Sequence, residues 1–192
     1  MSAKQTNCLV VLGPTASGKT RLGVGLARDS GGEIISADSR QVYRGLDIGS
    51  GKDLAEYEAD GVAVPYHLID IADLSEEFSV FDYQQRFYAA FVSIRQREKL
   101  PVVVGGTGLY LEAALKGYRM VAVPEDPGLR AELAVLSYEQ LVERLRSLKE
   151  RLHNTTDLEN RERVVRAIEI AEYSRDHEPE PGPDIRPVVL GT

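Results

Sequence analysis

The chain has 192 residues, 43% of them hydrophobic and 28% charged, a balance that suits one well-buried α/β domain with a small appendage. Its formal net charge of −7 argues against a general nucleic-acid coat, which carries a basic surplus, while leaving room for a local basic patch. No apolar run approaches the roughly 20 residues needed to span a bilayer, no signal-peptide pattern opens the sequence, and the lone Cys8 excludes a disulfide framework. A cytoplasmic, monomeric protein without membrane contact is therefore expected. His67, His153 and His177 are scattered without ligand spacing, so no metal site is expected from them.

In chain order, "CLVVLG" (8–13) is an apolar, β-branched run that enters a glycine loop, and "KTRLGVGLARDSGG" (19–32) follows as a helix. Leu22, Val24 and Leu26 are its apolar positions, and Gly31-Gly32 its stop. "EIISADS" (33–39) reads as a second strand ending in Asp38, and "YHLIDIAD" (66–73) as a third, introduced by Pro65. Val80, Phe81, Phe87, Phe91 and Ile94 recur at helical intervals through 78–99. "LPVVVGG" (100–106) is a buried strand and "TGLYLEAALKG" (107–117) a helix closed by Gly117. This alternation predicts an α/β fold, a P-loop NTPase-like doubly wound parallel sheet with a small helical insertion.

Beyond Pro124 the strand signals stop, and two or three short amphipathic helices are predicted, the first with Asp126 as N-cap and Pro127 at its first position. The expected organisation is a core at 1–123, a helical insertion or lid at 124–178, and a proline-rich linker with a return strand at 179–192.

The strongest chemical signal is "GPTASGKT", Gly13, Pro14, Thr15, Ala16, Ser17, Gly18, Lys19 and Thr20. Its glycines let backbone N–H groups surround phosphate oxygens, Lys19 adds a cation, and the Thr20 hydroxyl can ligate Mg²⁺. A strand before and a helix after supply the context that such a loop requires. Asp38, at the carboxyl end of a strand, can serve as general base, as an indirect Mg²⁺ ligand, or only as a turn residue. Asp70 can be a metal-side carboxylate or a structural strand end. "VGGTGLY" (104–110) is a second glycine turn, with Thr107 expected to face the same crevice. Arg163 and Arg166, three apart, share a helix face that either converges on a diphosphate or is simply solvated.

Taken together, "GPTASGKT", "IISADSRQVYRGLDIGSGK", "YHLIDIAD", "LPVVVGGTGLYLEAAL" and "RVVRAIEI" resemble, in that order, the pattern of tRNA dimethylallyltransferases, also called tRNA isopentenyltransferases. The resemblance runs from Cys8 to the end, and "SADSRQVYRGLDIG" is its most specific part. It implies transfer of a dimethylallyl group from dimethylallyl diphosphate to N6 of the adenosine just 3′ of the tRNA anticodon. By position, Gly13 to Thr20 would hold the prenyl diphosphate with Mg²⁺, and Asp38 would take the proton from the adenine amine. Asp38, Ser39, Arg40 and Gln41 would lie against the flipped-out base, with Thr107 touching the same nucleotide. Arg163 and Arg166 would face the tRNA and the diphosphate.

Family members run longer, with a basic C-terminal helical region, and "HNTTDLENRERVV" departs from the family's usual approach to the two arginines. The grip on tRNA by this chain alone is thus expected to be weak, resting on Arg40, Arg44, Lys52, Arg163 and Arg166. Prenylation of free adenine nucleotides, a P-loop nucleotide kinase, and a non-catalytic diphosphate-binding remnant are the alternatives.

Overall fold

The computed structural model describes residues 5–52, 54–59, 61–148 and 158–192. Two compact units emerge, Met1–Tyr118 with Pro181–Thr192, and Arg119–Glu180.

The first unit begins with β1 (Cys8–Leu12), in which Cys8, Val10 and Val11 are buried, and α1 (Lys19–Ser30). Helix α1 ends as its glycines require: Gly31 adopts φ 62°, and the N–H groups of Gly31 and Gly32 close on the carbonyls of Arg28 and Ala27. Of the apolar positions read from the sequence, Leu22 is 40% exposed, while Val24 is buried together with Gly23 and Ala27. The reason is a close approach of helix to sheet: a Cβ on Gly23 would lie 2.3 Å from Val104 Cγ2.

After β2 (Glu33–Ala37) the chain runs through a long irregular stretch to a short 3₁₀ turn, Leu54–Tyr57. A two-residue hairpin follows, β3 (Glu58–Ala59) with β4 (Val62–Ala63), and then β5 (Tyr66–His67). Helix α2 (Val80–Gln96) opens on a capping box, Ser79 with Asp82, and buries Tyr83, Phe87, Phe91 and Ile94. β6 (Pro101–Gly105) leads to α3 (Gly108–Leu115), and β7 (Pro187–Gly191) completes the sheet. The parallel strand order is β5-β2-β6-β1-β7, with Leu12 opposite both Gly105 and Gly191. Asn7 fastens β7 to β1, its side chain bonding Asp184 O and Arg186 N at 2.7 Å each.

Alternate strand residues feed two apolar layers. Cys8, Val10, Ile35 and Val103 pack with α2 and α3 on one face. Val11, Ile34, Val102 and Val104 pack with Val24 and Ala27 of α1 on the other, joined by Tyr57, Val64 and Ile69. Burial pushes the Cys8 thiol up to about 12, so it is an inert core group.

One expected strand is largely absent. "YHLIDIAD" contributes only Tyr66 and His67 to the sheet, because Leu68 and Asp70 turn into the left-handed region at φ 64° and 56°. The N–H groups of Asp70, Ile71 and Ala72 bond to Gln41 and Val42 instead, so the apolar run is buried against a loop.

The second unit holds α4 (Pro127–Ala134), α5 (Tyr138–Leu148) and α6 (Arg161–Asp176) around Leu133, Leu141, Leu145, Val164 and Ile168. Asp126 caps α4 as expected, accepting from Gly128 N at 2.9 Å and Leu129 N at 3.0 Å. Glu169, 1% exposed, ties this unit together through Arg130 at 2.7 Å, Arg166 at 3.0 Å and the Asp126 N–H at 3.1 Å. Burial alone would raise its carboxyl, but these bonds outweigh burial and hold it down at about 2. The predicted consequence has a definite sign. A carboxyl lowered by folding stabilises fully above its unfolded value near 4.5 and loses that contribution as pH falls toward 2. Glu169→Gln should remove about 2 kcal/mol of stability at neutral pH, after discounting for the half-exposed arginines, and flatten the loss between these values. Acid titration followed by circular dichroism measures it.

Candidate active site

Three parallel strand ends set up the site. β1 delivers the glycine loop, β2 delivers Asp38, and β6 delivers the turn Gly106-Thr107. The geometry depends on Gly105, where a Cβ would meet Ala37 O at 2.2 Å, so the last residues of β2 and β6 touch backbone to backbone. That contact continues beyond the sheet. Thr107 N donates to Ala37 O at 3.1 Å, and Thr107 Oγ1 accepts the Ser39 N–H at 3.0 Å and donates to Ser39 Oγ at 3.4 Å. Thr107 therefore does not cap α3 with its side chain; it braces the residue after Asp38.

The glycine loop has the shape its sequence calls for. Ala16 and Gly18 take φ 63° and 82°, turning the chain so that α1 starts at Lys19. Lys19 Nζ donates across the loop to Pro14 O at 2.5 Å. Ser17 Oγ meets Thr192 Oγ1 at 2.7 Å, and Thr192 lies where a Cβ on Gly13 would be, 2.2 Å from its hydroxyl.

A cleft of about 330 Å³ opens in front of this loop, bordered by Thr15, Ala16, Gly18, Lys19, Thr20, Asp38 and Gln41 among the expected residues. Ser50, Gly51, Glu56, Tyr57, Val104 and Gly105 complete it. Gly13, Pro14, Ser17, Ser39, Arg40 and Thr107, also expected at the site, are not part of this lining. Asp38 is half-buried, and its Oδ1 accepts the N–H groups of Arg40 at 2.9 Å and Gln41 at 3.4 Å. The side chain is thus both a turn former and a carboxylate facing the cleft.

Gln41 is committed inward. Its Oε1 accepts from Ser36 at 2.8 Å and its Nε2 donates to Gly51 O at 3.2 Å, strapping the loop after Asp38 to the end of β2. Lys52 corrects an expectation. It was a candidate for phosphate contact, yet its side chain is 1% exposed, bonded to Asp70 at 2.5 Å, Asp47 at 3.0 Å and Tyr43 O at 2.9 Å. Burial opposes the Lys52 charge, but the two carboxylates outweigh burial and hold it above the ordinary lysine value. Asp70 is thereby engaged through Oδ1 in holding Lys52. Arg40 stays exposed with Nη1 on Gly49 O at 3.2 Å, and Arg44 pairs with Asp73 at 3.0 Å.

Within the helical unit, Arg163 pairs with Glu159, and Arg166 bonds Glu169 at 3.0 Å and Val123 O at 2.7 Å. His153 lies outside the described residues. Among the described residues no three His, Cys, Asp or Glu side chains cluster as a metal cage, and no helix is long and apolar enough to cross a membrane. Any divalent cation here would rely on Thr20, Asp38 and the oxygens of a bound phosphate, hard donors that suit Mg²⁺. Tyr57 and Glu56 escaped the sequence reading, since only the turn that ends the irregular stretch brings them to the cleft.

A parallel sheet with a glycine loop between β1 and α1, and a carboxylate at the neighbouring strand end, defines a P-loop protein. The chain belongs to the IPP transferase family, which it matches over residues 41–184. It is 63% identical over 188 residues to tRNA dimethylallyltransferase 2 of Syntrophotalea carbinolica, covering 96% of this chain and 61% of that protein. To tRNA dimethylallyltransferase 1 of Geotalea uraniireducens it is 61% identical over 185 residues, covering 96% and 60%. Among solved structures, the full-length tRNA isopentenylpyrophosphate transferase of Bacillus halodurans superposes with a TM-score of 0.61 at 35% identity, covering 97% of this chain and 60% of that one. A eukaryotic dimethylallyltransferase acting on tRNA gives 0.73 at 25% identity, covering 97% and 48%. The chain spans about three fifths of the length of the curated relatives it matches.

Lys52→Met should destabilise the first unit by about 1–3 kcal/mol, because it strands Asp47 and Asp70, which keep some contact with water. Thermal denaturation reads this out, and the salt dependence of any tRNA binding should stay unchanged.

Proposed function

We propose that this chain carries the catalytic part of a tRNA dimethylallyltransferase. The reaction is transfer of a dimethylallyl group from dimethylallyl diphosphate to N6 of the adenosine 3′ of the anticodon. The observation that carries the reading is the cleft itself, where Lys19, Thr20 and the loop amides face the same space as Asp38. Phosphate-binding groups and a positioned carboxylate in one small cleft suit displacement of a diphosphate by an amine that must lose a proton.

The loop amides and Lys19 bind the diphosphate and orient the prenyl carbon toward Asp38. The adenine N6 forms a bond to that carbon as its bond to the diphosphate oxygen breaks, and the electron pair leaves with the diphosphate. Asp38 accepts the proton from N6, and its N–H bonds from Arg40 and Gln41 hold it in place for this. Thr20, and Asp38 indirectly, would hold a Mg²⁺ ion, which when bound would supply countercharge for the diphosphate. Thr107 keeps Ser39 in register beside Asp38, and Ser39 and Arg40 are the exposed groups for the extruded base. Gln41 serves the acceptor indirectly, by holding the loop, and Arg163 and Arg166 extend the contact to tRNA.

The test is incubation with labelled dimethylallyl diphosphate and, in parallel, tRNA, AMP, ADP and ATP. Label on tRNA is the expected result, and label on a free nucleotide alone would redirect the acceptor. Asp38→Asn should slow transfer by roughly 10²–10⁴ with donor affinity nearly unchanged. Transfer within a factor of two of the parent would remove Asp38 as base.

A further inference from the structure

Tyr57 stands apart from the other groups around the cleft. It belongs to the buried cluster that includes Val11, Val24, Val64 and Val104, its ring is tilted against Tyr66 with centroids 4.8 Å apart, and only 3% of the residue is exposed. Its hydroxyl has no hydrogen-bond partner among the described residues. A wholly enclosed phenol without a partner would carry a large penalty. Among the described residues, however, the only enclosed side-chain nitrogen or oxygen without a hydrogen bond is Nε of Arg186, which faces Asp184 in an ion pair at 3.5 Å. The Tyr57 hydroxyl must then reach open space, and Tyr57 is one of the residues that border the cleft with Lys19, Thr20 and Asp38.

We infer that the Tyr57 hydroxyl is a substrate contact, a hydrogen-bond donor to the diphosphate in the cleft of the phosphate loop. The assignment rests on the diphosphate-transfer reading given above. Burial, with smaller contributions from Glu56, Tyr66 and Asp38, pushes the Tyr57 phenol well above its ordinary value, so it keeps its proton and can only enter an anion site as a donor. Asp38 already receives two backbone N–H bonds on Oδ1, whereas a diphosphate brings oxygens that need donors. A rigid donor of this kind orders no flexible side chain when it bonds. Its bond strengthens as the carbon–oxygen bond breaks and the electron pair, with its charge, settles on the diphosphate. No covalent change occurs at Tyr57, and its proton stays on the phenol oxygen.

Tyr57→Phe separates the hydroxyl from the packing ring. Calorimetry with inorganic diphosphate, with and without Mg²⁺, is run on the parent, Tyr57→Phe, Lys19→Ala and Tyr66→Phe, the last removing the neighbouring hydroxyl that does not border the cleft. Tyr57→Phe is expected to bind diphosphate about ten- to a hundredfold more weakly, with an unchanged melting temperature and Tyr66→Phe matching the parent. Diphosphate affinity equal to the parent's in Tyr57→Phe, while Lys19→Ala loses binding, overturns the Tyr57 assignment and leaves the transfer reading intact. An unchanged affinity with a shifted pH profile of transfer also overturns it, making Tyr57 a partner of Asp38. A parent that binds no diphosphate overturns both.

Discussion

The contact on which the site depends is the one between the ends of β2 and β6. A Cβ on Gly105 would lie 2.2 Å from Ala37 O, so only glycine lets these two strand ends meet without displacement. Because the sheet is parallel, that meeting happens at the same edge where β1 releases the phosphate loop. Asp38 and the glycine loop share one cleft as a result, although the rest of α1, its glycine stop and the whole of β2 separate Thr20 from Asp38 in the chain. The same edge takes Thr107, whose hydroxyl is spent on Ser39.

Beyond β2 the chain leaves regular structure from Asp38 to Lys52, and polar bonds hold it there. Gln41 straps it to Ser36 and Gly51, and Lys52 anchors it to Asp47 and Asp70 from a buried position. Such interior bonds place a loop more sharply than apolar contact would, at the cost of losing stability if either partner is removed. The stretch "SADSRQVYRGLDIG" is therefore a folding device, whatever its proposed contacts with substrate. Its cations divide accordingly: Arg40 and Arg44 remain at the surface, and Lys52 does not.

What the sequence makes legible is what depends on neighbours in the chain. The phosphate loop, the strand–helix alternation, the Asp126 cap and the stop at Gly31 are all local, and each forms as read. The errors and omissions depend on distant residues. "YHLIDIAD" has the apolar content of a strand, but its N–H groups are claimed by Gln41 and Val42 some thirty positions earlier, which leaves two residues in the sheet. Lys52 looks like a surface cation until Asp70 is placed beside it. Nothing near Tyr57 in sequence reveals the cleft.

In the proposed function, this phosphate loop serves a prenyl diphosphate where a kinase would place a nucleoside triphosphate. Calorimetric titration of the protein with dimethylallyl diphosphate and with ATP, each with Mg²⁺, tests it most directly. The account predicts saturable binding of dimethylallyl diphosphate that Lys19→Ala abolishes, since the substitution removes the cation from the anion site. Tight binding of ATP with none of dimethylallyl diphosphate would contradict it.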